Sequence, residues 1–215
     1  MNNIKKIWIY GCSFSEPFGL IPAHDIVIGP YNSRIFKGVD YWGTHLSKLL
    51  KIECITRSLS GVGWNYINNC IDEDIIYWDK NDFVIINPSF FSRVTIEELH
   101  KRDKFYNLME DNAKDVEFIC RYNCHRWCRK IETLNHLGYE NVYSWLIDNY
   151  SCESNIYNLI PAPDGSYNWK HWMDKHLEYW IDPDFNPPHG DWHFNDKGHI
   201  AVANRIYEFI YEKIK

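Results

Sequence analysis

The sequence predicts an α/β fold: a three-layer α/β/α sandwich on a mostly parallel central sheet. Three observations carry that expectation. Four short apolar, β-branched runs are spread along the chain, stretches of helical period separate and follow them, and the first three runs each end at a Gly-, Ser- or Pro-bearing turn. Strands that alternate with helices need crossover connections, which place helices on both faces of a parallel sheet.

The elements follow in order. Ile4 to Tyr10 is β-branched and aromatic and stops at Gly11, as a buried strand stops at a turn. Tyr41 to Leu50 carries Trp42, Leu46, Leu49 and Leu50 at helical spacing. A second strand, Glu53 to Thr56, runs into the turn-rich RSLSGVGWN, and a helical stretch follows from Asn65 to Trp78. The third strand, Asp82 to Ile86, is closed by Asn87-Pro88, because proline disfavours ladder pairing. Residues 93 to 106 are polar and read as an irregular insert. From Asn112 to Leu137 the period is helical, with Gly138 as its C-cap. Asn141 to Ile147 is the fourth strand, a helix is expected around Trp169 to Trp180, and Lys197 to Lys215 closes the chain as an amphipathic helix with Ile200, Ala203, Ile206, Ile210 and Ile214 on one face. The segments 17 to 40 and 88 to 110 are expected as insertions over the sheet's edge.

Composition bounds the classes of function. With 215 residues, 45% of them apolar and 17% aromatic, the chain can bury one sizeable core, so a single domain over 1–215 is expected. A formal net charge of −6 lacks the basic footprint of a nucleic-acid binder. The opening MNNIKKIWIYG holds an apolar run too short for a signal peptide or a spanning helix, which predicts a soluble cytoplasmic protein with no membrane partner. Seven cysteines, an odd number at irregular spacing in a chain that needs no staples, point to reduced thiols.

In such a sheet ligands bind outside the carboxyl ends of the strands. The residues there are Gly11-Cys12-Ser13-Phe14-Ser15 after the first strand, Ser60-Gly61-Val62-Gly63 after the second and Asn87-Pro88-Ser89 after the third; HGDWHFNDKGH lies just before the last helix. A serine nucleophile needs a base, the base needs an orienting acceptor, and the developing oxyanion needs preorganised donors. Ser13 fits the nucleophile, His193 the base and Asp191 the group that holds the imidazole. The backbone N–H groups of Ser13 and Gly61, with a side-chain amide such as Asn87, fit the oxyanion hole. Each has an ordinary structural alternative: a turn or N-cap serine, glycines serving backbone torsions, a hydrogen-bonded histidine, an exposed loop carboxylate.

The ordered set resembles the SGNH, or GDSL-like, hydrolase family. Gly11-Cys12-Ser13-Phe14-Ser15 is similar to the family's N-terminal Gly-Asp-Ser block with Cys in place of Asp. Ser60-Gly61 is similar to the second block, whose glycine N–H stabilises the oxyanion, and His193-Phe-Asn-Asp-Lys-Gly-His199 to the last, in which a catalytic His precedes the C-terminal helix. Two departures stand out. Gly190 occupies the place three before His193 where the family has Asp, with Asp191 two before, and INPSFFSR replaces the third block, leaving Asn87, or Ser89 as its alternative, as the amide or hydroxyl donor. The resemblance implies a flavodoxin-like sandwich, an esterase or acylhydrolase using no cofactor, and a small-molecule or glycan ester as substrate, O-acetyl groups on carbohydrate first among them.

Other readings remain. Cys12 is a second nucleophile beside Ser13, but neighbours in an extended turn point apart, so a Ser13 facing His193 turns Cys12 inward. Cys120, Cys124 and Cys128 share one helical face and read as buried core thiols rather than zinc ligands. His189, Asp191 and His193 are an alternative metal-ligand set for a metal-dependent hydrolase. The aromatic segment around Trp169, Trp172, Tyr179 and Trp180 reads as packing, with a sugar-stacking platform as the alternative, and His199 falls in the first turn of the last helix. From a different class, the chain could be a carbohydrate-binding or assembly protein that keeps the fold without catalysis.

Overall fold

A computed structural model describes residues 4–17, 26–37, 39–60, 62–88, 113–146, 158–179 and 193–214. Its strands are β1 (Lys6–Gly11), β2 (Ile26–Ile28), β3 (Arg34–Phe36), β4 (Glu53–Ser58), β5 (Phe83–Ile86) and β6 (Val142–Ser144). The longer helices are α1 (Trp42–Leu50), α2 (Trp64–Asp74), α3 (Ala113–His136), α4 (Trp169–Asp174) and α5 (Asp196–Ile214).

In β1 every residue from Ile7 to Gly11 is buried, the pattern of a strand covered on both faces. It pairs in parallel with β4 on one side and β5 on the other, and β5 pairs in parallel with β6. The order β4-β1-β5-β6 makes a four-stranded parallel sheet, the expected α/β architecture.

Alternation of side chains along the strands sorts the helices into two layers. Thr56, Tyr143 and Trp145 point to one face, where Thr56 hydrogen-bonds Tyr41 at the start of α1, Tyr143 meets Phe209 of α5 at 5.0 Å, and Trp145 meets Trp42 of α1 at 6.1 Å. Tyr10, Arg57 and Ser144 point to the other. There Arg57 pairs with Asp74 of α2 at 2.7 Å, and Trp127 of α3 donates to Ser144 Oγ at 3.1 Å. Tyr10 donates to the same Asp74 carboxylate and accepts from Trp78 Nε1, so a buried polar network ties β1, β4 and α2.

Helix α3 ends as the sequence implies. Gly138 takes φ +82, and the Tyr139 and Gly138 N–H groups bond the carbonyls of Leu134 and Asn135 in a Schellman closure. Its Cys120, Cys124 and Cys128 are buried. Cys124 is disulfide-bonded, which corrects the expectation of uniformly reduced thiols. Segment 17 to 40 contains the antiparallel hairpin β2–β3, and β3 lies against the edge strand β4. Trp169 and Trp172 are buried, Trp169 packing against Trp145 with ring centroids 5.1 Å apart and planes tilted by 56°, which is the packing reading of that segment; Trp180 and the insert at 93 to 106 lie outside the described residues. Among the described residues no helix is long and apolar enough to cross a membrane.

Candidate active site

The chain runs from β1 to β4 on one side, then returns past β1 to β5 on the other. That reversal of winding puts the sheet's switch point at the carboxyl ends of β1 and β5, the place where open parallel sheets bind ligands. Gly11-Cys12-Ser13 and Asn87-Pro88 occupy those two ends.

After Gly11 the backbone tightens into a 3₁₀ turn over Ser13–Ser15, closed by Ser15 N–H to Cys12 O at 2.9 Å and Glu16 N–H to Ser13 O at 3.4 Å. Gly11 is required by close approach: a Cβ there would lie 2.3 Å from Ser15 Oγ and 3.2 Å from Asn87 Cβ. Trp42 Nε1 donates to Phe14 O at 3.1 Å and braces the turn from α1.

Cys12 and Ser13 are both buried at the start of this turn. The Cys12 thiol is fully buried and donates to Asn87 Oδ1 at 3.5 Å. Asn87 Nδ2 donates to Trp145 O at 3.2 Å, and Asn87 N–H to Tyr10 O at 2.7 Å. Trp145 O can only accept, so the amide must turn its NH2 toward β6 and its oxygen toward Cys12. One side chain thus joins the ends of β1, β5 and β6.

His193 is buried, and its ring stacks on Phe14, the residue after Ser13, with centroids 5.2 Å apart and planes 25° from parallel. The entry to α5 and the turn after β1 therefore meet, although 179 positions separate Phe14 from His193. His199, in the first turn of α5 as expected, accepts from Trp42 N–H through Nδ1 at 3.4 Å. Burial pushes its pKa down to about 3, with His45 and His193 adding to the effect, so it is a neutral imidazole beside His193.

Not every expected residue falls within this view. Asp191, Gly61, Ser89 and His189 lie outside the described residues, and with them the orienting carboxylate, one oxyanion donor and two of the three alternative metal ligands. Ser13 itself is only 2% exposed.

Sequence reasoning missed Glu16 and Arg34. Glu16 is buried, and its Oε2 accepts from Arg34 Nη1 of β3 at 2.8 Å. Burial pushes its pKa up to about 7, against the pull of Arg34 and Ser60. Glu16 follows the quoted block directly, but its partner becomes visible only once the hairpin is known. Ser15, quoted in that block without a role, and Ser58 are both fully buried, and both hydroxyls lack a hydrogen-bond partner among the described residues. Ser58 pairs with Gly11 across the β1–β4 ladder, so polar side chains collect at this end of the sheet.

A cavity of about 490 Å³ opens elsewhere, between the segment that follows α4 and the middle of α5, with Trp172, His176, Tyr179, Asn204 and Arg205 in its wall. Neither Ser13 nor His193 is among the described residues that line it.

No protein-family model matches the chain, and no curated protein matches it. Its fold is similar to that of a solved protein from Desulfitobacterium hafniense described as lipolytic and of the G-D-S-L family, at 12% identity over 95% of this chain and 98% of that one, with a TM-score of 0.37. It is also similar to a mutant of an acetyl-xylooligosaccharide esterase from Geobacillus, at 13% identity over 97% of this chain and 95% of that one, with a TM-score of 0.46.

Proposed function

We propose that the protein is a serine hydrolase that cleaves carboxylic esters through an acyl-enzyme, with O-acetyl groups on carbohydrate as the substrate class. The observation that carries this reading is the meeting of three remote segments at the sheet's switch point: the turn bearing Ser13, the Asn87 amide, and the His193 ring against Phe14. In the mechanism Ser13 Oγ attacks the ester carbonyl while His193 takes its proton and Asp191 holds the imidazole. The N–H groups of Ser13 and Gly61 and the Asn87 amide, or Ser89 in its place, receive the oxyanion. The tetrahedral intermediate collapses as His193 returns the proton to the leaving alcohol, and water activated by the same imidazole then releases the acid.

Two features support the base assignment. A buried site raises the worth of each preorganised donor, and a neutral His199 places no second cation beside the imidazolium that forms on His193. The expected outcome is covalent labelling of Ser13 by a fluorophosphonate, read by peptide mass spectrometry, and its loss in His193→Ala; a folded wild type that takes up no label contradicts the proposal. A second reading, a carbohydrate-binding or assembly protein with the fold but no catalysis, is favoured by the 2% exposure of Ser13, and unlabelled Ser13 is what it predicts.

A further inference from the structure

The cavity between the segment after α4 and the middle of α5 has a volume of about 490 Å³, within the ~300–1,000 Å³ typical of small-ligand sites. Three rings in mutual contact stand in its wall. The centroid of buried Trp172 lies 5.2 Å from that of His176 and 5.4 Å from that of Tyr179, and His176 and Tyr179 stack at 5.5 Å with planes 25° apart. His176 and Tyr179 are only partly buried, so two of the three rings are open to a ligand. The cluster is held from both sides. Glu178 Oε1 accepts from His176 Nδ1 at 3.1 Å, and Asn195 N–H donates to Tyr179 O at 2.9 Å. At Gly198 of α5 a Cβ would lie 2.6 Å from Tyr179 O, so the helix gives up a side chain where this turn rests on it.

The polar part of the wall carries both signs of charge. Lys175 Nζ lies 3.9 Å from Asp164 Oδ2, and Arg205 donates through Nε to Pro161 O at 2.9 Å and through Nη1 to Glu208 Oε2 at 3.5 Å. Asn204, exposed on α5, adds an amide that both donates and accepts. An anion entering here meets Asp164 and Glu208, and a cation meets Lys175 and Arg205, so neither sign finds an uncompensated partner. A sugar hydroxyl both donates and accepts, and the C–H face of a pyranose lies well against the electron-rich face of an aromatic ring. From this geometry we propose that the cavity is a binding site for uncharged pyranose glycans. One sugar ring rests against His176 and Tyr179, and its hydroxyls meet Asp164, Lys175, Asn204 and Arg205. The site is separate from the proposed catalytic cluster, since neither Ser13 nor His193 is among its described lining residues, and the inference does not rest on the hydrolase reading.

The test is isothermal titration calorimetry of the full chain with cellobiose, xylobiose and maltose, and with glucuronate and inorganic phosphate as charged controls. Wild type, Tyr179→Ala, Asn204→Ala and Ser13→Ala are compared at a temperature where circular dichroism shows them folded. At least one disaccharide is expected to bind, with Kd raised about 10-fold in Tyr179→Ala and about 3-fold to 10-fold in Asn204→Ala, and unchanged in Ser13→Ala. Weakening at either cavity position with Ser13→Ala unchanged supports the proposal. A folded wild type that binds none of the three at about 10 mM, where a site of millimolar affinity is mostly filled, overturns it. Affinity unchanged in both cavity variants also overturns it, and loss in Ser13→Ala alone places the sugar in the catalytic cluster instead. Tighter binding of glucuronate or phosphate than of any disaccharide makes this an anion site and overturns it likewise. Should Tyr179→Ala fail to fold, Asn204→Ala decides, because Asn204 is exposed and alanine suits a helix: unchanged affinity overturns the proposal and weakened affinity upholds it. Fluorophosphonate labelling of Ser13 on the same wild type decides the hydrolase reading separately.

Discussion

Single side chains at the carboxyl end of β1 are held by contacts that leave few substitutions open. Gly11 has no room for a Cβ, Cys12 gives its thiol hydrogen to Asn87, and Asn87 passes the connection on to Trp145 O. His199 shows how far burial reaches in the same region. Its imidazole titrates near its ordinary 6.5 when the chain is unfolded and is pushed down to about 3 in the folded protein. The unfolded chain therefore binds the proton first as pH falls. The stability contributed by the neutral ring is fully present above about pH 6.5 and is lost progressively toward pH 3. Between pH 7 and pH 4.5 the wild type is expected to lose about 2–3 kcal/mol more than His199→Gln, which does not titrate and still accepts the Trp42 N–H. Urea unfolding of both proteins at the two pH values measures this, since the remaining titrating groups are common to both. Parallel pH dependence in the two would show that the buried ring is not the acid-sensitive element.

At the scale of elements, the strands and helices that build the sheet were legible because each is buried along a period that sequence displays. Helix α3, expected at 112–137, spans Ala113–His136, and the third strand, expected from Asp82, begins one residue later at Phe83. The fourth strand was expected to reach Ile147, yet β6 stops at Ser144; beyond it Trp145 N–H still bonds Ile86 O, but Trp145 and Leu146 are buried as apolar residues outside the regular strand. The hairpin was not legible. Its strands are three residues each, and its turn places Tyr31 and Asn32, rather than glycine, at positive φ. Ser13 and Asn87 could be singled out because they follow strands, whereas Glu16 and Arg34 are joined only through that hairpin. The network of Arg57, Asp74 and Tyr10 was hidden for the same reason: contact between β4 and α2 is a property of the assembled layers. Asp74→Ala leaves the Arg57 guanidinium, only 6% exposed, without its buried partner, and is expected to cost about 3–5 kcal/mol in urea unfolding. Arg121→Ala, which breaks an exposed pair with Glu117 on α3, is expected to stay within about 0.5 kcal/mol of wild type. Equal costs at the two positions would contradict the view that β4 is anchored to α2 through its buried charge.

For the whole molecule, the parallel sheet places the ends of β1 and β5 at its switch point, and α5 closes the chain so that His193 returns to the first turn the chain made. Under the proposed function this convergence makes Ser13, and not its neighbour Cys12, the nucleophile. The direct test is hydrolysis of p-nitrophenyl acetate by wild type, Ser13→Ala and Cys12→Ala, each with a metal chelator present. Turnover in the wild type and in Cys12→Ala, with loss of at least about 1,000-fold in Ser13→Ala, is the predicted result. Turnover that survives Ser13→Ala and disappears in Cys12→Ala, or a wild type that is folded and inert, would contradict it.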